Sequence, residues 1–191
     1  MPTRRILIDS NAYFRLAETI GGLLSTIFGQ PIQYQLRILG GTTHEFYYQP
    51  RLRSRYSWAD KEEHRRERSV GQLVLKAEEK SKIAMKKPFL LSAVEDLGLN
   101  CSRFDVECLA TAMTLDIPLV TDDLDLVALA GEYGQATMST LELLRLMLDE
   151  LRVGIADIQA TVVMWDYLDD YPARFDNEFR RLFGVEPERA P

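Results

Sequence analysis

Acidic residues recur where helices should begin. Asp9 closes the apolar run RRILID, Glu45 lies in TTHEF after a second apolar run, Asp105 lies in SRFD ahead of an amphipathic stretch, and Asp122, Asp123 and Asp125 follow IPLVT. Each has a local reading: Thr42 with Glu45 and Ser102 with Asp105 fit the S/T-x-x-E/D capping box, and an acid near any helix N-terminus is favoured by the macrodipole. A shared reading comes from topology. In a parallel sheet with right-handed crossovers, the C-terminal end of each strand lies at the same edge as the N-terminus of the next helix. Asp9, Glu45 and Asp123 then share that edge, and Asp105 joins them because its helix runs opposite to the strand that follows it. Carboxylates gathered in this way repel, and they stay ionised together only beside a cation, or else take up protons. Oxygen ligands without Cys or His select a hard ion, Mg²⁺ or Mn²⁺, which keeps waters and also holds phosphate oxygens. The chemistry that follows is phosphodiester hydrolysis by a metal-activated water. On this reading Asp9 is a metal ligand and Asn11 fixes its carboxylate by hydrogen bonding.

Periodicity gives the elements that must position these acids. Residues 4–8 read as a strand and 11–28 as a helix, with Leu16, Ile20, Leu23, Leu24 and Ile27 on one packed stripe that Gly29 and Pro31 close. IQYQLRIL (32–39) reads as a second strand, Gly40-Gly41 as a turn, TTHEFYY as the start of a second helix, and the basic region after it as helical. Pro88 is expected to break that pattern, with a short helix around SAVEDLG after it. SRFDVECLATAMTLD places Phe104, Cys108, Leu109, Ala112 and Leu115 on one helical face; IPLVT (117–121) reads as a short buried strand, DLDLVALAGEYG as a helix and QATMS as a short strand. From TLELLRLMLDEL to near Phe183 the chain reads as mostly helical. Strands alternating with helices predict an α/β fold, a parallel sheet wrapped by helices. With no repeat, low-complexity segment or linker, the 191 residues read as one domain.

Composition narrows the classes of function. Hydrophobic content of 46% and charged content of 27% are ordinary for a globular protein, and no apolar run reaches the roughly 18 residues of a membrane span. The N-terminus enters a strand at once, leaving no room for a signal peptide, so a cytoplasmic protein with no membrane partner is expected. Cys101 and Cys108, without a CxxC pairing, argue against a disulfide framework or a zinc site, and chemistry needing two imidazoles would require both His44 and His64. Charge is uneven: residues 51–87 hold 12 Lys/Arg and 6 Asp/Glu, a local +6 within a chain of −6. With Tyr56 and Trp58 inside it, this segment suits phosphate tracking and base stacking, the candidate contacts being Arg51, Arg53, Arg55, Arg65, Arg66 and Arg68. It equally suits a solvated helix with Glu62–Arg66 and Glu78–Lys82 as i,i+4 pairs. Beyond residue 149 acids dominate, and no phosphate contact is expected there.

ILIDSNAYF, TTHEF and SRFDVECLATAMTLDIPLVTDDLDL together resemble the PIN-domain nuclease superfamily, which includes the toxins of VapC-type toxin-antitoxin pairs. The first block carries an apolar strand followed by Asp-x-Asn, the second a Glu early in the second helix, and the third an Asp ahead of Leu-Ala-x-Ala and a strand ending Thr-x-Asp-x-Asp. The resemblance runs from residue 4 to about 140, leaves 50–100 and 150–191 unmatched, and meets Leu126 where such proteins often have Phe. It implies a three-layer PIN-like domain over 1–145 with a basic helical insert at about 51–87, and a helical C-terminal extension, 146–191, packed on the same domain. It also implies a Mg²⁺- or Mn²⁺-dependent endoribonuclease. Asp9, Glu45, Asp105 and Asp123 would be its catalytic acids, Asp9, Asp105, Asp123 and Asp125 its metal ligands, and Asn11 and Thr121 would support them. The implied partners are an RNA substrate, an antitoxin or inhibitor protein, and a second copy in a homodimer. A DNA-acting nuclease of the same type and a non-catalytic RNA- or protein-binding module are the alternatives. A phosphohydrolase of the haloacid dehalogenase type would need a second Asp where Asn11 stands, and a dinucleotide-binding fold would need a G-x-G-x-x-G after the first strand.

Overall fold

The first apolar run becomes the inner strand around which the sheet is built. A computed structural model describes residues 3–172 and 174–190; residues 1, 2 and 191, at the ends of the two expected ranges, and residue 173 lie outside the described residues. β1 (Arg4–Ile8) pairs in parallel with β2 (Tyr34–Arg37) on one side and with β3 (Leu119–Val120) on the other. β3 in turn pairs in parallel with β4 (Thr137–Met138), so the strand order is β2-β1-β3-β4. Leu7 stands opposite Arg37 in β2 and opposite Leu119 in β3. A strand covered on both faces is apolar throughout rather than alternating, and Ile6, Leu7 and Ile8 are all at most 1% exposed.

The helices are α1 (Ser10–Leu16), α2 (Gly41–Tyr48), α3 (Pro50–Arg55), α4 (Glu62–Gly71), α5 (Ala77–Leu97), α6 (Arg103–Leu115), α7 (Leu124–Glu132), α8 (Thr140–Asp149), α9 (Ile155–Leu168) and α10 (Phe175–Phe183). Because side chains alternate across a strand, Ile6 and Ile8 enter one core with Phe14 of α1, Met147 of α8, Trp165 of α9 and Phe179 of α10. Leu7 and Leu119 enter the opposite core with Leu90 of α5, Leu109 of α6 and Leu129 of α7. The chain is therefore α/β, with a four-stranded, all-parallel sheet flanked by helices on both faces. The C-terminal helices contribute to the same core as β1. Among the described residues no helix is long and apolar enough to cross a membrane.

Three elements differ from expectation. The helix expected over 11–28 ends at Leu16; residues 17–25 continue as turns that still bury Ile20, Leu23 and Leu24, while Ile27 is exposed. Gly22 there has φ +67°, a left-handed conformation that glycine adopts without penalty and that interrupts a right-handed helix. Pro88 does not break its helix: α5 runs unbroken for 21 residues with Pro88 inside. Pro88 and Ala84, whose carbonyl loses its helical partner, both lie on the exposed side, where water can serve that carbonyl, while Ile83, Leu90 and Val94 hold the buried side. The basic region is likewise not one helix but α3, a 3₁₀ turn at Ser57–Asp60, α4 and the first part of α5.

Trp165 tests how firmly the C-terminal helices belong to this core. It is fully buried, and its indole Nε1 donates to the carbonyl of Arg15 at 2.8 Å. Trp165→Ala should cost about 3–5 kcal/mol in urea denaturation, while Ala at the exposed Tyr167 should change little. Equal effects of the two would separate α9 from the core.

Candidate active site

Acids stand at or near the starts of four helices at the C-terminal edge of the sheet. Asp9 follows β1 as the N-cap of α1, its Oδ1 accepting from the Ala12 amide at 2.7 Å. Asp123 follows β3 as the N-cap of α7, its Oδ1 accepting from the amides of Asp125 and Leu126 at 2.9 and 3.0 Å. At the start of α6, the Ser102 amide donates to Asp105 Oδ2 at 2.7 Å and the Asp105 amide to Ser102 Oγ at 3.1 Å, a reciprocal cap. Thr121 links the first two acids: its Oγ1 accepts from the Asp123 amide at 3.1 Å, and its hydroxyl hydrogen-bonds the Asp9 carboxyl.

Glu45 is different, because the Thr42–Glu45 capping box is absent. α2 begins at Gly41, with no side-chain hydrogen bond at its N-cap. Starting one residue before Thr42, the helix turns that side chain into the core, where its hydroxyl has no partner. Glu45 therefore lies in the second turn, its carboxylate accepting from Gln49 Nε2 at 3.1 Å and facing the Ser10 hydroxyl.

These four acids wall a single cavity of about 140 Å³, together with Ser10, Asn11, Gln49, Ser102 and Leu52. Strand order explains the meeting, since β1 lies between β2 and β3 and so brings the junctions after all three together. Burial pushes the Asp9 carboxyl up to about 7; the Thr121 and Ala12 hydrogen bonds and the Arg15 charge oppose this, and the Asp122 charge adds to it. Burial also raises Glu45, with the charge of Asp105 adding, and raises Asp105, with the charge of Asp123 adding. Charge repulsion thus runs along the wall from Asp123 to Asp105 and from Asp105 to Glu45. Asp105 Oδ1 and Asp123 Oδ2 have no hydrogen-bond partner among the described residues, and the buried Ser10 Oγ, also on the wall, has none. This oxygen-only set fits a hard divalent ion that keeps part of its water shell. Among the described residues no three Asp, Glu, His or Cys side chains form a ready-made ion cage.

Several expected roles fall elsewhere. Asn11 is exposed on the cavity wall, but the Asp9 carboxyl is held by Ala12 and Thr121 instead. Asp125 lies off the wall, its Oδ2 accepting from the Asn100 amide at 3.1 Å. Of the six arginines, Arg68 is only 1% exposed and sits over the Phe46 ring, 5.4 Å from its centroid, because the turn of α4 puts it on the inward side with Gly71. No phosphate reaches it there. Arg66 pairs with Glu62, Arg65 approaches Asp60 at 3.8 Å, and Arg55 pairs with Asp170 at 2.9 Å. Arg51 and Arg53 are exposed and have no ion pair among the described residues. Tyr56 and Trp58 are buried in the aromatic core around Phe14, where no base can stack on them.

Behind the cavity lies a charge network that spans distant parts of the sequence. Arg15 donates through Nη1 to Asp122 Oδ2 at 2.7 Å and through Nε and Nη2 to both oxygens of Asp170 at 3.2 and 3.1 Å. Asp170 also receives Arg55 and the Tyr56 hydroxyl, and Asp122 Oδ1 accepts from the Thr140 amide at 2.9 Å. Burial works against the Asp170 charge, yet the hydrogen bonds and charges of Arg15, Tyr56 and Arg55 hold its carboxyl below the ordinary range. Asp122 sits between Thr121 and Asp123, and Arg55 three residues beyond Leu52, so the network braces two walls of the cavity. Ser10, Gln49 and Ser102 on the wall, and the Asp170 brace, were not among the site residues expected from sequence. A polar Ser beside Asp9 is a signal for the first; nothing local marks Asp170.

Compared with models of protein families and with curated proteins, the chain matches none.

The raised Asp9 carboxyl has a consequence for stability. A carboxyl titrating near 7 when folded and near 3.8 when unfolded leaves the fold unburdened below pH 4, and burdens it fully once ionised above pH 7. Asn can replace Asp as an N-cap without the charge. In EDTA, Asp9→Asn should therefore melt higher than the unaltered protein at pH 8, with the gain shrinking towards pH 4; a gain independent of pH would contradict the buried charge.

Proposed function

We propose that this chain is a PIN-type endoribonuclease that uses Mg²⁺ or Mn²⁺. The observation that supports this best is that four carboxyls from four separate junctions wall one cavity at the C-terminal edge of a parallel sheet. Asp9, Asp105 and Asp123 would hold the ion, since a cap engages one oxygen of each and the other oxygens of Asp105 and Asp123 are free of hydrogen bonds among the described residues. When bound, the ion supplies positive charge to the phosphodiester and acidity to nearby water. Glu45, raised by burial and by Asp105, is suited to take up and return a proton at its carboxyl, with the Gln49 amide orienting it. The Arg15 brace keeps Asp122, and with it the Thr121–Asp123 turn, in register with Asp9. Arg51 and Arg53, beside the wall residue Leu52, are the unpaired cations best placed for an incoming strand's phosphates.

Purified protein incubated with mixed RNA and DNA should cleave RNA in Mg²⁺ or Mn²⁺ and neither substrate in EDTA. Asp9→Asn and Asp123→Asn should each lose at least about a hundredfold, the upper end of what changing a ligand's supporting partner costs. Cleavage by either variant, or in EDTA, would remove the metal-nuclease reading, and preferential cleavage of DNA would reassign the substrate.

Salt titration of RNA binding tests the role of the arginines. Arg51→Glu with Arg53→Glu should flatten the dependence of affinity on salt by about one unit of slope for each phosphate no longer neutralised. Arg65→Glu with Arg66→Glu, residues engaged with Asp60 and Glu62, should leave the slope near that of the unaltered protein. The reverse pattern would move the strand's path onto α4.

A further inference from the structure

Helix α2 serves the cavity with one row of side chains and exposes a different row beside it. Positions three to four apart share a helical face, and successive residues turn by about 100°. Thr42 and Phe46 point into the core, while Glu45 and Gln49 wall the cavity. His44 and Tyr48 form the next row, turned away from the core. Their rings stack with centroids 4.1 Å apart and planes 22° from parallel, and Tyr48 is 73% exposed. Tyr47, on the other side of the helix, spends its hydroxyl on Asp60 at 2.9 Å. The His44–Tyr48 pair thus belongs to neither core cluster. It presents a two-ring flat surface one residue from the cavity wall at Gln49, and a short step along the chain from the unpaired cations Arg51 and Arg53.

We propose that this pair is a base-stacking site: a nucleobase of the bound strand lies on the outer face of the Tyr48 ring, and the adjoining phosphate is met by Arg51 or Arg53. The assignment rests on the nuclease reading above. An aromatic face accepts any base, so the site contributes affinity with little sequence preference. A base can use it only when it is not already stacked within a duplex, so the site favours unpaired strands. It also replaces the platform expected at Tyr56 and Trp58, which the fold buries. Charge complementarity selects a nucleic acid as occupant, since the nearest unpaired side chains along the chain are cationic while the cavity's own carboxyls await a divalent ion.

The test is fluorescence anisotropy in EDTA, where no cleavage occurs, with a labelled single-stranded RNA of about ten nucleotides and with the duplex of the same sequence. Tyr48→Ala should weaken single-strand binding about tenfold, within the range for loss of one stacked base. Tyr48→Trp should restore it, and binding to the duplex should be insensitive to both changes. Unchanged single-strand affinity in Tyr48→Ala would overturn the site and leave the stack to a protein partner, as would equal losses for strand and duplex. A parallel cleavage assay in Mn²⁺ separates the two proposals: Tyr48-dependent binding without cleavage of RNA or DNA supports the stacking site and removes the nuclease, whereas no binding of any strand overturns the stacking site.

Discussion

An acid at the end of an inner, doubly covered strand cannot keep its water. Asp9 is placed there by the sheet itself, with β2 and β3 on either side and helices above and below. Removing a carboxylate from water disfavours its charge unless hydrogen bonds or a cation compensate. Compensation here comes from three directions: the amide of Ala12 at the N-terminus of α1, the hydroxyl of Thr121 beyond β3, and the charge of Arg15 behind. Much of the surrounding architecture supports those three interactions. Thr121 is held by the Asp123 cap, and Arg15 by Asp122 and Asp170.

The compensation is incomplete, and the shortfall is repeated around the cavity. Asp9, Glu45 and Asp105 are all raised by burial, and the charges of Asp105 and Asp123 act on their neighbours across the wall. A core designed only for stability would replace some of these groups with neutral ones, because residual charge repulsion weakens the folded state. Capping does not account for the arrangement, since each N-cap needs one oxygen and a neutral Ser or Asn would serve. Glu45, outside any N-cap, ties its helix only through the Gln49 side-chain amide, a bond that a neutral Gln would also accept.

What could be read from the sequence was what depends on neighbouring residues. Asp9, Glu45 and Asp123 were legible because parallel topology carries every strand-to-helix junction to one edge, and Asp105 because a helix running back to an inner strand starts at that same edge. Burial was legible too, since the apolar stripe at Leu16, Ile20, Leu23 and Leu24 does face the core. Backbone conformation was not, because the helix gives way to turns from Ala17, ahead of the left-handed Gly22, while the same stripe still packs. Pro88 misled because its effect depends on which side of α5 faces water, and Arg68 because a count of charges carries no information on the rotation of α4. The role given to Asn11 differs on another ground: the carboxyl is met by a hydroxyl from the segment after β3, which adjacency in sequence could not reveal.

The brace at Asp170 joins residues 155 positions apart, Arg15 and Asp170. A ribosome delivers the chain in order, at about 5–20 residues per second. Asp9, Glu45, Asp105 and Asp123 are therefore all made before the carboxylate that ties Arg15 to Arg55. Through that interval Arg15 has only Asp122 to pair with, and the segment carrying Leu52 lacks its anchor. The nascent chain thus carries every acid of the cavity before the carboxylate that braces their surroundings has been made.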